Sequence, residues 1–256
     1  MVDLCRSSPS GNYGILQRAS SKGAILYGPP GTGKTHPARV LAKESNSTMI
    51  NVSAAEIMQK YVGESEKFIK ALFAIGRKVA PSIIFLDEAD ALLRQRKSED
   101  QPWHRSMMSQ FLQDSDGLKR EKNPPFMLLA TNNPQDLDPA VLRRIPGRLY
   151  LGMPHQEARE RLFKMFLRGE HLSPAIDIRQ LAGMTIGYTG SDIYTLCVNT
   201  ALICEDEVLT MLTDGFKGVK RILMLSHFKT AMKRSGPTVH PTTLHKFRRF
   251  AHDYHP

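Results

Sequence analysis

GPPGTGKT at Gly28–Thr35 and IIFLDEAD at Ile83–Asp90 decide how this chain folds, because each half supplies what the other lacks. Pro29, Pro30, Gly31, Thr32 and Gly33 form a loop in which glycine permits tight turning, so that backbone N–H groups can point at the phosphates of a nucleotide. Lys34 adds positive charge to those phosphates, and the Thr35 hydroxyl is placed to reach a Mg²⁺ ion. The second stretch is an apolar strand that ends in carboxylates. Asp87 can hold the Mg²⁺ through water, while Glu88 can orient or deprotonate an attacking water. A glycine-rich turn is the plain alternative for the first stretch alone. With the acidic strand end beside it, the reading becomes an ATP-binding, ATP-hydrolysing P-loop protein.

At 256 residues and 41% hydrophobic, the chain can bury one good core, or one large and one small. No segment approaches the roughly 20 apolar residues of a membrane span. The opening MVDLCRSSPSGNYG lacks the apolar core of a signal peptide, which argues against secretion. Cys5, Cys197 and Cys204 have no metal-ligand spacing. The last two would lie about 10 Å apart on a helix, too far for a disulfide. Reduced thiols in a cytosol-facing protein are the simplest account. The net charge is +10, and from Asp214 onward many Lys and Arg residues face only Asp214 and Asp253. An acidic partner would suit this region, but no aromatic-interleaved nucleic-acid motif accompanies the charge. A solvated basic surface is the favoured reading, and nucleic acid an unlikely partner.

Strands are predicted at Ala24–Tyr27, Met49–Val52, Ile83–Leu86, Phe126–Ala130 and near Leu149–Gly152. Helices lie between them, one with Phe68, Leu72, Phe73 and Ile75 on its apolar side. Ser53-Ala-Ala-Glu56 has capping-box spacing. This alternation implies a mainly parallel sheet sandwiched by helices. Beyond Met153–His155 the strands stop. Ala158, Leu162, Phe163 and Phe166 recur at helical spacing, as do Ile193, Leu196, Cys197, Thr200 and Ala201. A last helix is expected at Thr242–His252. The expected division is a short extension (1–21), a P-loop α/β domain (22–153) and a small all-helical domain (154–256).

Thr131-Asn132 ends an apolar strand, where ligands bind in open α/β sheets, so Asn132 can help place the attacking water; an Asx turn before Pro134 is the bland alternative. Arg143 and Arg144 follow Asp138-Pro139 on a short helix. Together with GYTGSDI at Gly187–Ile193, these stretches resemble the AAA family of ATPases, over roughly residues 22–256. The resemblance implies that Arg143 and Arg144 reach a neighbour's ATP across a subunit boundary, and hence a homo-hexamer with composite sites. It implies that Gly190 and Ser191 contact the nucleotide from the small domain, which acts as a lid. It also places a pore loop at Lys60, Tyr61 and Val62, gripping a protein substrate. Physically, Gly190 allows close backbone approach, and Ser191 or Asp192 can cap the helix.

Tyr61-Val-Gly-Glu-Ser-Glu-Lys67 and LRRIPGRLYLGMP at Leu142–Pro154 look most similar to the group holding spastin, katanin and the outer-mitochondrial-membrane protein-extracting ATPases. The Leu142–Arg148 form favours the extracting branch, and Gly14-Ile-Leu-Gln17 is similar to fungal members. The resulting expectation is a motor that remodels, extracts or unfolds proteins, in the cytoplasm or on the cytosolic face of the mitochondrial outer membrane if an anchor is missing from this chain. Two departures stand against the pattern. His36-Pro37 falls where good helix formers are usual, although a proline in the first turn breaks no intrahelical bond. Residues Met1–Ser21 contain nothing equivalent to the family's adenine-side segment, which points to a fragment or to weakened nucleotide affinity. A nucleotide-gated scaffold with impaired hydrolysis, or less plausibly a DEAD-box helicase, are the competing readings.

Overall fold

The computed structural model describes residues 23–54, 57, 64–96, 100–118, 124–215, 218 and 220–254. The expected pore loop at Lys60, Tyr61 and Val62, the capping box ending at Glu56 and the segment Met1–Ser21 lie outside the described residues.

Five parallel strands form one sheet in the order β2-β3-β4-β1-β5. They are β1 (Gly23–Tyr27), β2 (Thr48–Ser53), β3 (Ser82–Asp87), β4 (Phe126–Thr131) and β5 (Gly147–Tyr150). β1 and β3, from Ser82 through Leu86, are buried along their length, as expected of strands covered on both faces. Side chains alternate between the faces. Leu26, Phe85, Leu128 and Ala130 pack with Ala38 and Ala42 of α1 (Thr35–Glu44). On the opposite face, Ile84 lies so close to Gly76 of α2 (Ser65–Lys78) that a Cβ on Gly76 would sit 2.9 Å from Ile84 Cδ1. Phe73 of α2 meets Phe111 of α4 (Pro102–Gly117) edge-on, with centroids 5.8 Å apart. Short helices α3 (Ala89–Leu92) and α5 (Pro139–Arg144) complete this part.

The strand expectations hold with small changes at the ends. β5 begins at Gly147 and closes at Tyr150, before the predicted Gly152. The apolar side of α2 is Ile69, Leu72, Phe73 and Gly76; Ile75 is half exposed to solvent, because the helix is rotated to bring its glycine onto β3. His36 and Pro37 sit inside α1, which begins at Thr35 without a break. Pro37 therefore occupies a first-turn position, where its missing N–H costs no bond.

The chain divides into two compact units. The first holds the sheet and its helices, with residues 249–256. The second holds Pro29–Gly33 and Gly152–Arg248. Its helices are α6 (Gln156–Phe166), α7 (Ile178–Met184), α8 (Gly190–Thr213), α9 (Leu225–Arg234) and α10 (Pro241–Tyr254), the last crossing the division at Arg248 and Arg249. Phe163, Leu181, Ile193, Leu196, Leu223 and Phe228 form its core. Burial pushes the Cys197 thiol up to about 12, which leaves it protonated and inert at neutral pH. Arg221 is paired with Glu170 and Glu205, whereas Lys229, Lys233, Arg234, Lys246, Arg248 and Arg249 are exposed to solvent. No described helix is long and apolar enough to cross a membrane.

Phe85 is fully buried in a strand flanked on both sides, so Phe85→Ala is expected to lower unfolding stability by about 3–5 kcal/mol. Chemical denaturation should show an earlier midpoint with an unchanged slope.

Candidate nucleotide site

The register of the parallel strands collects the functional residues. Tyr27 at the end of β1 is paired with Thr131 at the end of β4, and Leu86 of β3 with Leu129. The loop after Tyr27, the carboxylates after Leu86 and the polar turn after Thr131 therefore leave the sheet at its carboxyl edge, the usual place for ligands in such sheets.

The loop starts at Gly28, whose φ is +156° and whose missing Cβ would lie 2.0 Å from the Leu151 carbonyl oxygen. No side chain fits there. Within the second unit, Gly31 (φ +75°) accepts a hydrogen bond from the Ser191 N–H at 3.1 Å, and a Cβ on Gly31 would collide with Thr189 Oγ1. A Cβ on Gly190 would approach the same Gly31 carbonyl at 3.3 Å. Thr32 Oγ1 donates to the Pro29 carbonyl at 2.9 Å and pins the turn. The cap of α8 is Thr189, with Asp192 returning a bond to the Thr189 N–H; Ser191 is not the cap but the contact to Gly31. Thr189 lies two residues before Ser191 and three before Asp192, the expected caps, because its hydroxyl is the one within reach of the Asp192 N–H.

In the first unit, Lys34 is buried and its ammonium donates to the Gly28 carbonyl at 3.0 Å. Burial lowers its pKa to about 8, against the opposing pull of Asp87 and Asp90. Thr35 Oγ1 donates to Asp87 Oδ2 at 3.2 Å, and the other Asp87 oxygen accepts from the Glu88 N–H at 2.9 Å. Glu88 has left-handed angles (φ +53°, ψ +41°) and is exposed. A non-glycine residue in that region costs roughly 1–2 kcal/mol, a strain typical of functional turns.

Asn132 follows Thr131, and its buried Oδ1 has no hydrogen-bond partner among the described residues. The residues on either side of it are held by Asp90, for which the sequence alone offers no role. Asp90 accepts from Thr131 Oγ1 at 2.7 Å and from Asn133 Nδ2 at 2.9 Å. The only signal for this in the sequence was the acid three residues after Asp87.

The two arginines part company. Arg144 donates to Asp116 Oδ2 of α4 at 2.7 and 3.0 Å and to the Ala140 carbonyl, whereas Arg143 is exposed and has no ion pair among the described residues. Arg148 is turned inward to the carbonyls of Leu142, Ile145 and Gly147, closing the end of α5.

These residues define a P-loop nucleotide-binding protein. The model of the ATPase family associated with various cellular activities (AAA) matches residues 24–153. The chain belongs to the AAA family of ATPases. It is 39% identical over 245 residues to spastin from Sus scrofa and from Homo sapiens, covering 93% of this chain and 39% of each relative. Spastin from Danio rerio is equally similar, with 42% of its length covered. The chain thus spans about two fifths of the length of the curated relatives it matches. Among solved structures, the FIGL-1 AAA domain in complex with ADP superimposes with a TM-score of 0.82 at 33% identity, covering 93% of this chain and 80% of that one. The FIGL-1 AAA domain alone gives 0.80 at 33% identity, covering 91% and 77%.

The lowered Lys34 pKa makes a pH prediction. A nucleotide phosphate needs the ammonium, so above pH 8 binding must take up a proton. The dissociation constant for ADP should rise with pH beyond about 8, by up to about tenfold per unit, and Lys34→Met should flatten the profile. The nucleotide-free fold shows the reverse trend: its stability rises between pH 8 and the ordinary lysine range, because only the unfolded chain still binds that proton. Calorimetric titration across pH 7–9.5 measures the first effect.

Proposed function

We propose that this chain is the motor portion of an ATP-driven protein-remodelling ring: it hydrolyses ATP at the loop and acidic strand end, and passes the resulting motion to a polypeptide substrate. The observation that carries this reading is the Thr35–Asp87 hydrogen bond, which joins the phosphate loop to the acidic strand at the two oxygen groups a hard cation requires. Among the described residues there is no group of three His, Cys, Asp or Glu side chains able to cage a metal. A Mg²⁺ held by Thr35, by Asp87 through water, and by the nucleotide phosphates fits that donor set. Such an ion would neutralise charge on the phosphates.

The chain's own groups then divide the work. Lys34 meets the phosphates with a desolvated charge, stronger than the same charge in water. Glu88, exposed at its left-handed turn, holds or deprotonates the attacking water. Asn132 directs its unpaired Oδ1 at that water or at the terminal phosphate, with Asp90 keeping the turn in place. Gly190 and Ser191, packed on Gly31, serve as the lid-side contact to the nucleotide. Arg143, exposed and without an ion pair among the described residues, is the residue suited to reach a neighbour's site in a homo-hexamer, while Arg144 braces α5 against α4.

Lys60, Tyr61 and Val62 would grip the substrate as a pore loop. The substrate is a protein, for which an extracted membrane protein at the mitochondrial outer membrane remains one candidate. The chain acts in the cytoplasm or on a membrane's cytosolic face.

Glu88→Gln should keep nucleotide affinity within about twofold and lower turnover by about 10²-fold or more. Unchanged turnover would remove Glu88 from the mechanism. Arg143→Ala should lower turnover by about 10³-fold. Mixing Arg143→Ala subunits with Glu88→Gln subunits should recover activity, since one supplies an intact Glu88 and the other an intact arginine. An arginine acting within its own subunit predicts no recovery.

A further inference from the structure

The end of α10 touches the root of the phosphate loop. Phe250 is buried in the first unit, and its ring meets Tyr27 edge-on, with centroids 5.0 Å apart at 68°. Tyr27 is itself 1% exposed, and its ring also meets that of Tyr150 of β5, at 5.4 Å. Its backbone carbonyl accepts from the Leu151 N–H at 2.8 Å. The next residue is Gly28, wedged against the Leu151 carbonyl, and the Gly28 carbonyl is the acceptor of the Lys34 ammonium. From Phe250 to Lys34, each group is thus fixed by the one before it: ring on ring, strand on strand, carbonyl on ammonium.

We infer that Phe250 is a positioning residue for the nucleotide site, acting through Tyr27 and Gly28 on the placement of Lys34. The inference rests on the nucleotide-binding reading above and adds to it a residue far away in sequence that meets no nucleotide. The physical case is geometric. Gly28 has no tolerance for displacement, because it lies against the Leu151 carbonyl closely enough to exclude a methyl group. Lys34, buried and donating to the Gly28 carbonyl at 3.0 Å, is tied to the placement of that carbonyl. Truncating Phe250 removes one of the ring contacts that hold Tyr27, so the tyrosine relaxes into the cavity and draws the start of the loop with it. Aromatic edge contacts also fix ring orientation in a way an aliphatic replacement does not.

Such a role separates binding from chemistry. Glu88 and Asn132 are carried by β3 and β4, whereas Phe250 acts on the loop after β1. Phe250→Ala should therefore raise KM for ATP and the dissociation constant for ADP by about fivefold or more, with kcat at saturating ATP retained within about twofold. Phe250→Tyr keeps the edge contact and should restore most of the affinity. Phe111→Ala, which removes a fully buried aromatic and its edge contact with Phe73, is the control: it should lower the melting temperature at least as much and leave ADP affinity unchanged.

The measurements are ADP titration, steady-state ATPase kinetics and thermal melts on the full chain. Equal loss of ADP affinity in Phe250→Ala and Phe111→Ala would overturn the inference by reducing it to general destabilisation. So would unaltered affinity in Phe250→Ala. A wild-type chain that binds no ADP would instead overturn the nucleotide-binding reading itself, and the inference with it.

Discussion

Tyr27 and Thr131 lie opposite one another in neighbouring parallel strands, and the arrangement of the site follows from that pairing. In a parallel sheet every strand leaves at the same edge, so residues just past the strand ends become neighbours although they are distant in sequence. One residue beyond Tyr27 is the glycine that opens the phosphate loop, and one beyond Thr131 is Asn132. A one-residue slip would turn the buried side chains of β4 to the wrong face. The register therefore protects the core and the site together, and neither can be altered without the other.

Charge sets the next level. Lys34 is buried, and burial depresses its pKa even though Asp87 and Asp90 stand near enough to oppose the shift. The two acids serve different ends. Asp87 uses one oxygen on Thr35 and the other on the backbone of Glu88, so it shapes the turn that carries Glu88. Asp90 spends both oxygens on the strand end beside it. Asp87 and Asp90 are thus held by internal hydrogen bonds, whereas the buried Asn132 Oδ1 has no partner among the described residues. A buried acceptor left in that condition is costly, and a donor that reached it would recover the cost.

Much of this was legible in residues alone. The loop and acidic strand have spacings with few alternative explanations, and a continuous apolar run bounded by breakers marks a buried parallel strand. Other features were not legible, for identifiable reasons. The burial of Ile69 rather than Phe68 and Ile75 depends on Gly76 meeting β3, a contact between elements that periodicity does not contain. The cap of α8 falls on Thr189, one of several candidate caps in the same short stretch. Asp90 looks like a motif letter until Thr131 is seen beside it.

Arg143 and Arg144 illustrate the limit most directly. They are adjacent letters with the same chemistry, yet consecutive helical residues point about 100° apart. On a six-residue helix packed against α4, one of those directions faces Asp116 and the other faces solvent. Arg144 donates twice to one Asp116 oxygen and once to the Ala140 carbonyl, and turning that guanidinium outward would break these bonds. Arg143 breaks no ion pair among the described residues by reaching outward. If one arginine of the pair senses a neighbouring phosphate, the cost of breaking an existing contact selects Arg143, and it leaves Arg144 to hold the helix from which Arg143 extends.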